Sequence, residues 1–189
     1  DGSTDGTCDY LIDKYSNNEK IHIKFQKNMK LPSALNEGLK RCRGKFITWT
    51  SDDNQLREDM IMKLRDFLIK NKEVNFVYSG VNFYGNNNWQ FKSKQTNIDL
   101  FFDYPGLASF MWTKEAISNV GFYDESLNGI EDYDYILRTI EMYPNIGYVD
   151  EILFDYYFDV TGTNMTSEIR KNNKLKQLNL SLIHISEPT

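Results

Sequence analysis

Between residues 21 and 84 the apolar side chains change rhythm from one segment to the next, and that alternation constrains the fold more than any single motif. Ile21-His22-Ile23-Lys24-Phe25 alternates apolar and polar, the period of a half-buried strand. Pro32 suits the first turn of a helix whose inward positions are predicted as Ala34, Leu35, Leu39 and Cys42, with Gly44 as its stop. Residues 46–50 read as a strand. Residues 58–70 read as an amphipathic helix with Met60 or Ile61, Leu64, Phe67 and Leu68 on one side, and residues 74–84 as a further strand. Strand, helix, strand, helix, strand implies parallel βαβ units with right-handed crossovers. A short helix over residues 8–15 comes first, marked by Cys8, Leu11, Ile12 and Tyr15 at helical spacing.

Beyond residue 84 the pattern loosens. Residues 85–103 carry little periodicity and read as a long loop or a hairpin; 110–113 read as a strand and 114–119 as a short helix closed near Gly121. Ile136, Leu137 and Ile140 mark a helix over 132–142, residues 148–158 are rich in β-formers, and 166–178 read as a polar helix. With 40% hydrophobic and 26% charged residues in a chain of 189, one α/β domain with a mixed, mainly parallel sheet flanked by helices is the simplest expectation.

The net charge of -5 and pI near 5.1 argue against a nucleic-acid surface, which needs clustered Lys and Arg, and favour recruitment of a cation. Cys8 and Cys42 make neither a metal spacing nor a disulfide framework, so a reducing cytoplasmic setting is expected. No apolar run approaches the ~20 residues of a membrane span, which leaves membrane association to regions outside this sequence. The chain lacks an initiator Met and opens directly on Asp1-Gly2-Ser3, so upstream residues, including a first strand and helix, are expected to be missing. Residues 180–189 resemble the translation of a transposase adapter used in DNA sequencing libraries; they are set apart from the domain, which is assigned to 1–179.

Three acidic motifs fall where strands end or helices begin. Asp1-Gly2-Ser3-Thr4-Asp5-Gly6-Thr7 precedes a helix, Asp52-Asp53 follows the apolar run Phe46-Ile47-Thr48-Trp49, and Glu131-Asp132-Tyr133-Asp134 opens a helix. Turn formation and helix capping account for each motif singly. Adjacent carboxylates at a strand end also suit a hard divalent cation, and ligands of α/β folds gather at the carboxyl ends of strands. Asn82-Phe83-Tyr84-Gly85-Asn86 and Trp89-Gln90-Phe91 set rings beside polar groups, as in sites where rings face polar ligands, although packing is their commoner use.

Taken in order, these motifs resemble the landmarks of family 2 glycosyltransferases. The resemblance runs from the Asp1 loop through Leu35-Asn36-Glu37-Gly38, Gly44-Lys45-Phe46-Ile47, Thr50-Ser51-Asp52-Asp53-Asn54 and Gly121-Phe122-Tyr123-Asp124-Glu125 to Glu131-Asp132. It implies a GT-A, Rossmann-like fold and inverting transfer of a sugar from a nucleotide-diphosphate donor, in particular a UDP-sugar, to an acceptor hydroxyl. The implied partners are that donor and a glycan, lipid-linked or other acceptor; the implied cofactor is Mg2+ or Mn2+.

By the same resemblance, Asp1 and Ser3 receive the nucleoside, since a carboxylate can accept from a base imide or a ribose hydroxyl. Asp52 and Asp53 hold the metal and meet the donor, with Thr50 standing where a further acid is common. Asp132 is the implied base, with Glu131 beside it to raise its proton affinity or hold the acceptor. Asp159 stands where the family often has a His and is a further metal candidate; Tyr157 stands in place of an Arg. Gly106 falls in the segment that shapes the acceptor pocket, and Trp112 is a candidate acceptor platform, buried packing being the other use of such a ring. Lys30, Lys40, Arg41 and Arg43 are either solvated charges or phosphate partners. The setting implied is the cytoplasm, including the inner face of the membrane. Two other functions fit the acids: a sugar-nucleotide nucleotidyltransferase, and a non-catalytic nucleotide- or sugar-binding remnant.

Overall fold

A strand covered on both faces is buried at successive positions, and Phe76-Val77-Tyr78-Ser79-Gly80-Val81 is buried at every one. This run opens β3 (Phe76–Gly85), the spine of the sheet in a computed structural model that describes residues 1–85, 88–102 and 107–158. On one side β3 pairs in parallel with β6 (Ile146–Phe158), from Phe76 opposite Ile146 to Gly85 opposite Phe158, with irregularities around Gly80. On its other side Phe76 to Tyr78 pair antiparallel with β5 (Phe110–Thr113), and further along Val81 to Phe83 pair with β4 (Trp89–Phe91). The outer members are β1 (Phe46–Ile47), antiparallel to β5, and β2 (Gln55–Leu56), antiparallel to β6. The order across the sheet is β1-β5-β3-β6-β2.

Two layers cover it. On one face lies α3 (Met60–Lys70), whose Met60, Leu64 and Leu68 repeat every fourth residue and pack with Val77, Val81, Phe83 and Met111. Each such side chain withdrawn from water contributes roughly 1.5–3 kcal/mol. The other face is covered by α4 (Asn97–Phe102), α5 (Lys114–Val120) and α6 (Glu131–Met142), which enclose Phe76, Tyr78, Phe110 and Trp112 with Leu100, Ile117, Tyr135, Ile136 and Ile140. The Thr113 hydroxyl caps α5 by accepting from the Ala116 N–H at 3.2 Å, and Gly121 closes it at φ 86°. Along the margin, α2 (Leu31–Arg41) applies Leu35 and Leu39, and Cys42 follows, while α1 (Thr7–Tyr15) buries no residue fully.

The α/β architecture, mixed sheet and helices over residues 60–70, 114–120 and 131–142 agree with the sequence reading. Strand direction is more varied than a succession of parallel βαβ units. β1 and β3 do run the same way, but β5 lies antiparallel between them, so β3–β6 is the one parallel ladder among the described residues. Residues 21–25 are extended without a strand assignment: their alternation finds no ladder partner, and Ile21 and Phe25 remain 40% and 45% exposed. The strand expected over 46–50 stops at Ile47, and Trp49 turns its ring edge-on to Phe110 at 5.7 Å. In α2 the fully buried positions are Pro32, Ser33 and Asn36 rather than the aliphatic set. The polar helix over 166–178 and the segment 180–189 lie outside the described residues.

Because β5 reverses between β1 and β3, the carboxyl ends of β1, β3 and β6 share one rim of the sheet. α6 is joined to the amino end of β6 by residues 143–145 and runs back over the sheet, so its amino end approaches the same rim. A close approach is built in where β6 is irregular. A Cβ on Gly80 would meet the carbonyl oxygens of Glu151 and Phe91, each at 3.0 Å, and neither backbone atom is free to swing aside. Gly80→Ala is therefore expected to lower stability by about 1–3 kcal/mol in urea denaturation, with an unchanged m-value.

Candidate active site

From the end of β1 the chain crosses the carboxyl rim to reach β2 on the far edge, and Asp52-Asp53 lies on that crossing. Its short polar residues hold the turn. The Ser51 hydroxyl donates to Asp53 Oδ1 at 2.6 Å, Asn54 Nδ2 donates to Ser51 Oγ, and Asn54 Oδ1 accepts from the Tyr157 N–H at 3.0 Å. Arg57 then anchors the exit: Nε and Nη2 each donate to Asp155 at 2.9 Å, and Nη1 donates to the Ile152 carbonyl at 3.1 Å. This fork, joined by Asn82 Nδ2 at 2.7 Å, holds the Asp155 carboxyl below its ordinary range. These bonds tie the loop to β6.

Asp52 and Asp53 are both exposed, and among the described residues no three metal-type side chains converge. Two carboxylates nevertheless fit Mg2+ or Mn2+, since a hard cation of this kind is commonly held by one or two acids together with substrate phosphates rather than by an all-protein cage. Asp159, the further metal candidate, lies outside the described residues.

The second acid pair opens α6. Glu131 is 2% exposed, and its Oε2 accepts from the Gly129 N–H. Burial, reinforced by the Asp132 charge beside it, pushes the Glu131 carboxyl up to about 6. Asp132 is more open, with Oδ1 accepting from the Tyr133 N–H at 2.8 Å. The helix is fixed below them by the Tyr133 hydroxyl, which donates to the Phe101 carbonyl at 2.6 Å.

Tyr123 connects the acid loop to this helix. Its hydroxyl accepts from Trp49 Nε1 at 3.0 Å, and its ring stacks on Tyr135 at 4.1 Å. Asn36 clasps its backbone, accepting from the Tyr123 N–H at 2.8 Å and donating to the Tyr123 carbonyl at 3.0 Å. Burial raises the Tyr123 hydroxyl well above its usual pKa, and the charges of Asp132 and Glu131 add to the effect. Asn36 and Tyr123 belong to quoted motifs and Trp49 to the apolar run, but their contacts span 87 and 74 positions, and no local pattern signals them.

At the other acidic loop, Asp1 Oδ1 accepts from Gln26 Nε2 at 2.8 Å and from the Met29 N–H at 2.9 Å. Asp1 lines a cavity of about 470 Å³ with His22, Lys24, Glu37, Arg41 and Arg43. Glu37 is held down to about 2 by hydrogen bonds from Lys40 and Arg41, so those two cations are already engaged. Ser3, grouped with Asp1 in the sequence, is exposed outside this lining; its carbonyl accepts from Cys8 Sγ at 3.8 Å.

Trp112 requires correction as an acceptor platform. It is 2% exposed, enclosed by Phe76, Phe110 and Tyr135 at 5.1, 4.6 and 5.5 Å, and its Nε1 donates to Thr139 Oγ1 at 3.3 Å. No ring face remains for a sugar. Gly106 lies outside the described residues.

The model of the family described as glycosyl transferase family 2 matches residues 1–127. Chondroitin synthase of Escherichia coli is 27% identical over 191 aligned residues, which span 96% of this chain and 27% of the synthase. An uncharacterized glycosyltransferase of Methanocaldococcus jannaschii is 23% identical, over 90% of this chain and 62% of that protein. Among solved structures, Staphylococcus aureus TarS 1-349 in complex with UDP-GlcNAc superposes with a TM-score of 0.68 at 15% identity, covering 87% of this chain and 49% of that one.

Two outcomes follow from this geometry. Tyr123→Phe leaves the Trp49 N–H without its acceptor and should cost about 1–3 kcal/mol in denaturant unfolding. Glu131 has a folded pKa near 6 against an ordinary 4.5, so it favours folding most below pH 4.5 and loses about 2 kcal/mol of that contribution as the pH rises through 6. Glu131→Gln should therefore be more stable than the parent at pH 7, with the gain fading toward pH 4.5 in urea titrations across that window.

Proposed function

The chain belongs to glycosyl transferase family 2, and from that premise we propose that it moves a sugar from a UDP-linked donor to an acceptor hydroxyl with inversion, in polysaccharide or glycoconjugate synthesis. The observation that carries this reading is the Trp49–Tyr123 hydrogen bond, which joins the chain just before Asp52-Asp53 to a hydroxyl that feels the charges of Asp132 and Glu131. The likeness to a chondroitin synthase supports a polysaccharide product, and the UDP-GlcNAc complex of TarS supports a UDP donor.

In this scheme the nucleoside enters the cavity at Asp1, whose carboxylate can accept from a base imide or a ribose hydroxyl. Asp52 and Asp53 would hold Mg2+ or Mn2+, which when bound would supply Lewis-acid compensation for the negative charge of the donor diphosphate. The acceptor oxygen attacks the anomeric carbon from the face opposite the diphosphate. Its proton passes to the Asp132 carboxylate, while the bond from the anomeric carbon to the diphosphate oxygen breaks and its electron pair leaves with the nucleotide. Glu131, buried and bonded to the Gly129 N–H, fixes the helix end and keeps negative charge beside the base near neutral pH.

We assign the reaction to the cytoplasm, where nucleotide sugars are made, and to the inner membrane face where the acceptor is lipid-linked. No helix of the described residues is long and apolar enough to cross a membrane.

Calorimetric titration with UDP and Mn2+ tests the reading. Asp52→Ala should weaken UDP binding at least tenfold, or about 1.4 kcal/mol, in the presence of Mn2+. Asp132→Asn should bind UDP as the parent does while slowing sugar transfer by roughly 10²–10⁴. Equal Mn2+-dependent binding by parent and Asp52→Ala would sink the metal assignment.

A further inference from the structure

Tyr84 and Tyr157 have no part in the scheme above, yet they stand at the rim where it operates. They face each other across the β3–β6 ladder, with ring centroids 5.5 Å apart and planes at 60°. Each keeps more than a third of its surface in water, 36% and 38% respectively. By the two-residue period of β3 they share the face of Tyr78 and Asn82, which is the face that α6 covers lower down. The exposed ring of Trp89 lies on the opposite face, stacked on Phe83 at 4.4 Å, and is not part of this surface.

Below the two tyrosines the next row across the strands is Gln90, Asn82 and Asp155. Gln90 Nε2 donates to Asn82 Oδ1 at 3.4 Å, Asn82 Nδ2 donates to Asp155 Oδ1, and the Arg57 fork neutralises Asp155. The result is two ring faces bordered by amide and carboxylate groups. Rings with an electron-rich face take the C–H side of a pyranose, and the polar border takes its hydroxyls.

Position selects the occupant. The Asp1 cavity is bounded by α2 and residues 42 and 43, on the β1 side of the sheet, and the acid loop leads from β1 across the rim to β2. Asn54, next to Asp53, accepts from the N–H of Tyr157 itself, so the tyrosine pair continues directly from that loop on the side away from the cavity. A nucleotide seated at Asp1 with its diphosphate at Asp52-Asp53 leaves this part of the rim for the saccharide that receives the sugar.

We infer that Tyr84 and Tyr157 form the docking platform for an acceptor oligosaccharide, with Gln90, Asn82 and Asp155 as its polar border. The inference rests on the transferase reading. Its test is an array of hexose and N-acetylhexosamine oligosaccharides probed with the protein in UDP and Mn2+, alongside calorimetry of UDP. The parent should retain a subset of glycans, Tyr84→Ala with Tyr157→Ala should lose roughly tenfold or more of that signal, and the double Phe variant should keep it. UDP affinity should stay within about twofold throughout, which reports an intact fold and donor site. Undiminished glycan binding by the double Ala variant, or UDP binding by the parent with no glycan retained, would overturn the platform. Failure of the parent to bind UDP would instead strike the transferase reading itself, and the platform with it.

Discussion

The parallel ladder between β3 and β6 sets the geometry on which everything else depends. It runs the full length of β3, from Phe76 to Gly85, and gives the sheet one carboxyl rim rather than two mixed ones. β5 and β4 share its other flank, and the antiparallel β5 brings β1 into the same direction. Each strand that ends at the rim releases a polar segment there: Asp52-Asp53 after β1, Tyr84 at the end of β3, Tyr157 at the end of β6. Since α6 must run back across the face to connect with β6, its acidic amino end approaches the same place, where the helix dipole favours negative charge.

A rim of loops would be too loose for chemistry without cross-links, and the structure supplies two. Arg57 and Asn54 tie the acid loop to β6 through Asp155, Ile152 and the Tyr157 backbone. On the opposite side Trp49 reaches Tyr123, whose backbone is held by Asn36 and whose ring lies on Tyr135 of α6. Buried polar groups are costly when unpaired, so a clasp of this kind specifies one arrangement. Glu131 is the costly member: its carboxyl is removed from water and kept beside Asp132, which raises it to about 6 and lowers stability near neutral pH.

The elements that read correctly from the sequence are those whose burial is periodic and local. α3 is legible because Met60, Leu64 and Leu68 repeat on one stripe, and β3 because its run is buried on both faces. Strand order is not periodic, which is why β5 between β1 and β3 could not be read. Residues 21–25 show that alternation records a half-buried preference and not the neighbour that would satisfy it. The same limit separates the aromatic residues. Trp112 and Tyr157 both lie on strands, but α6 covers the first and leaves the second in water, a difference fixed by packing far away in sequence. The acid motifs were legible as chemistry, whereas Asn36, Trp49 and Tyr123 acquire their linking role only when distant segments meet.

The proposed reaction depends most directly on where a donor nucleotide lies relative to the two acid pairs. A crystal structure with UDP and Mn2+ would decide it. The base and ribose should occupy the cavity beside Asp1, and the diphosphate and ion should lie against the carboxylates of Asp52 and Asp53. UDP ordered with its phosphates remote from Asp52 and Asp53 would contradict the role proposed for that pair.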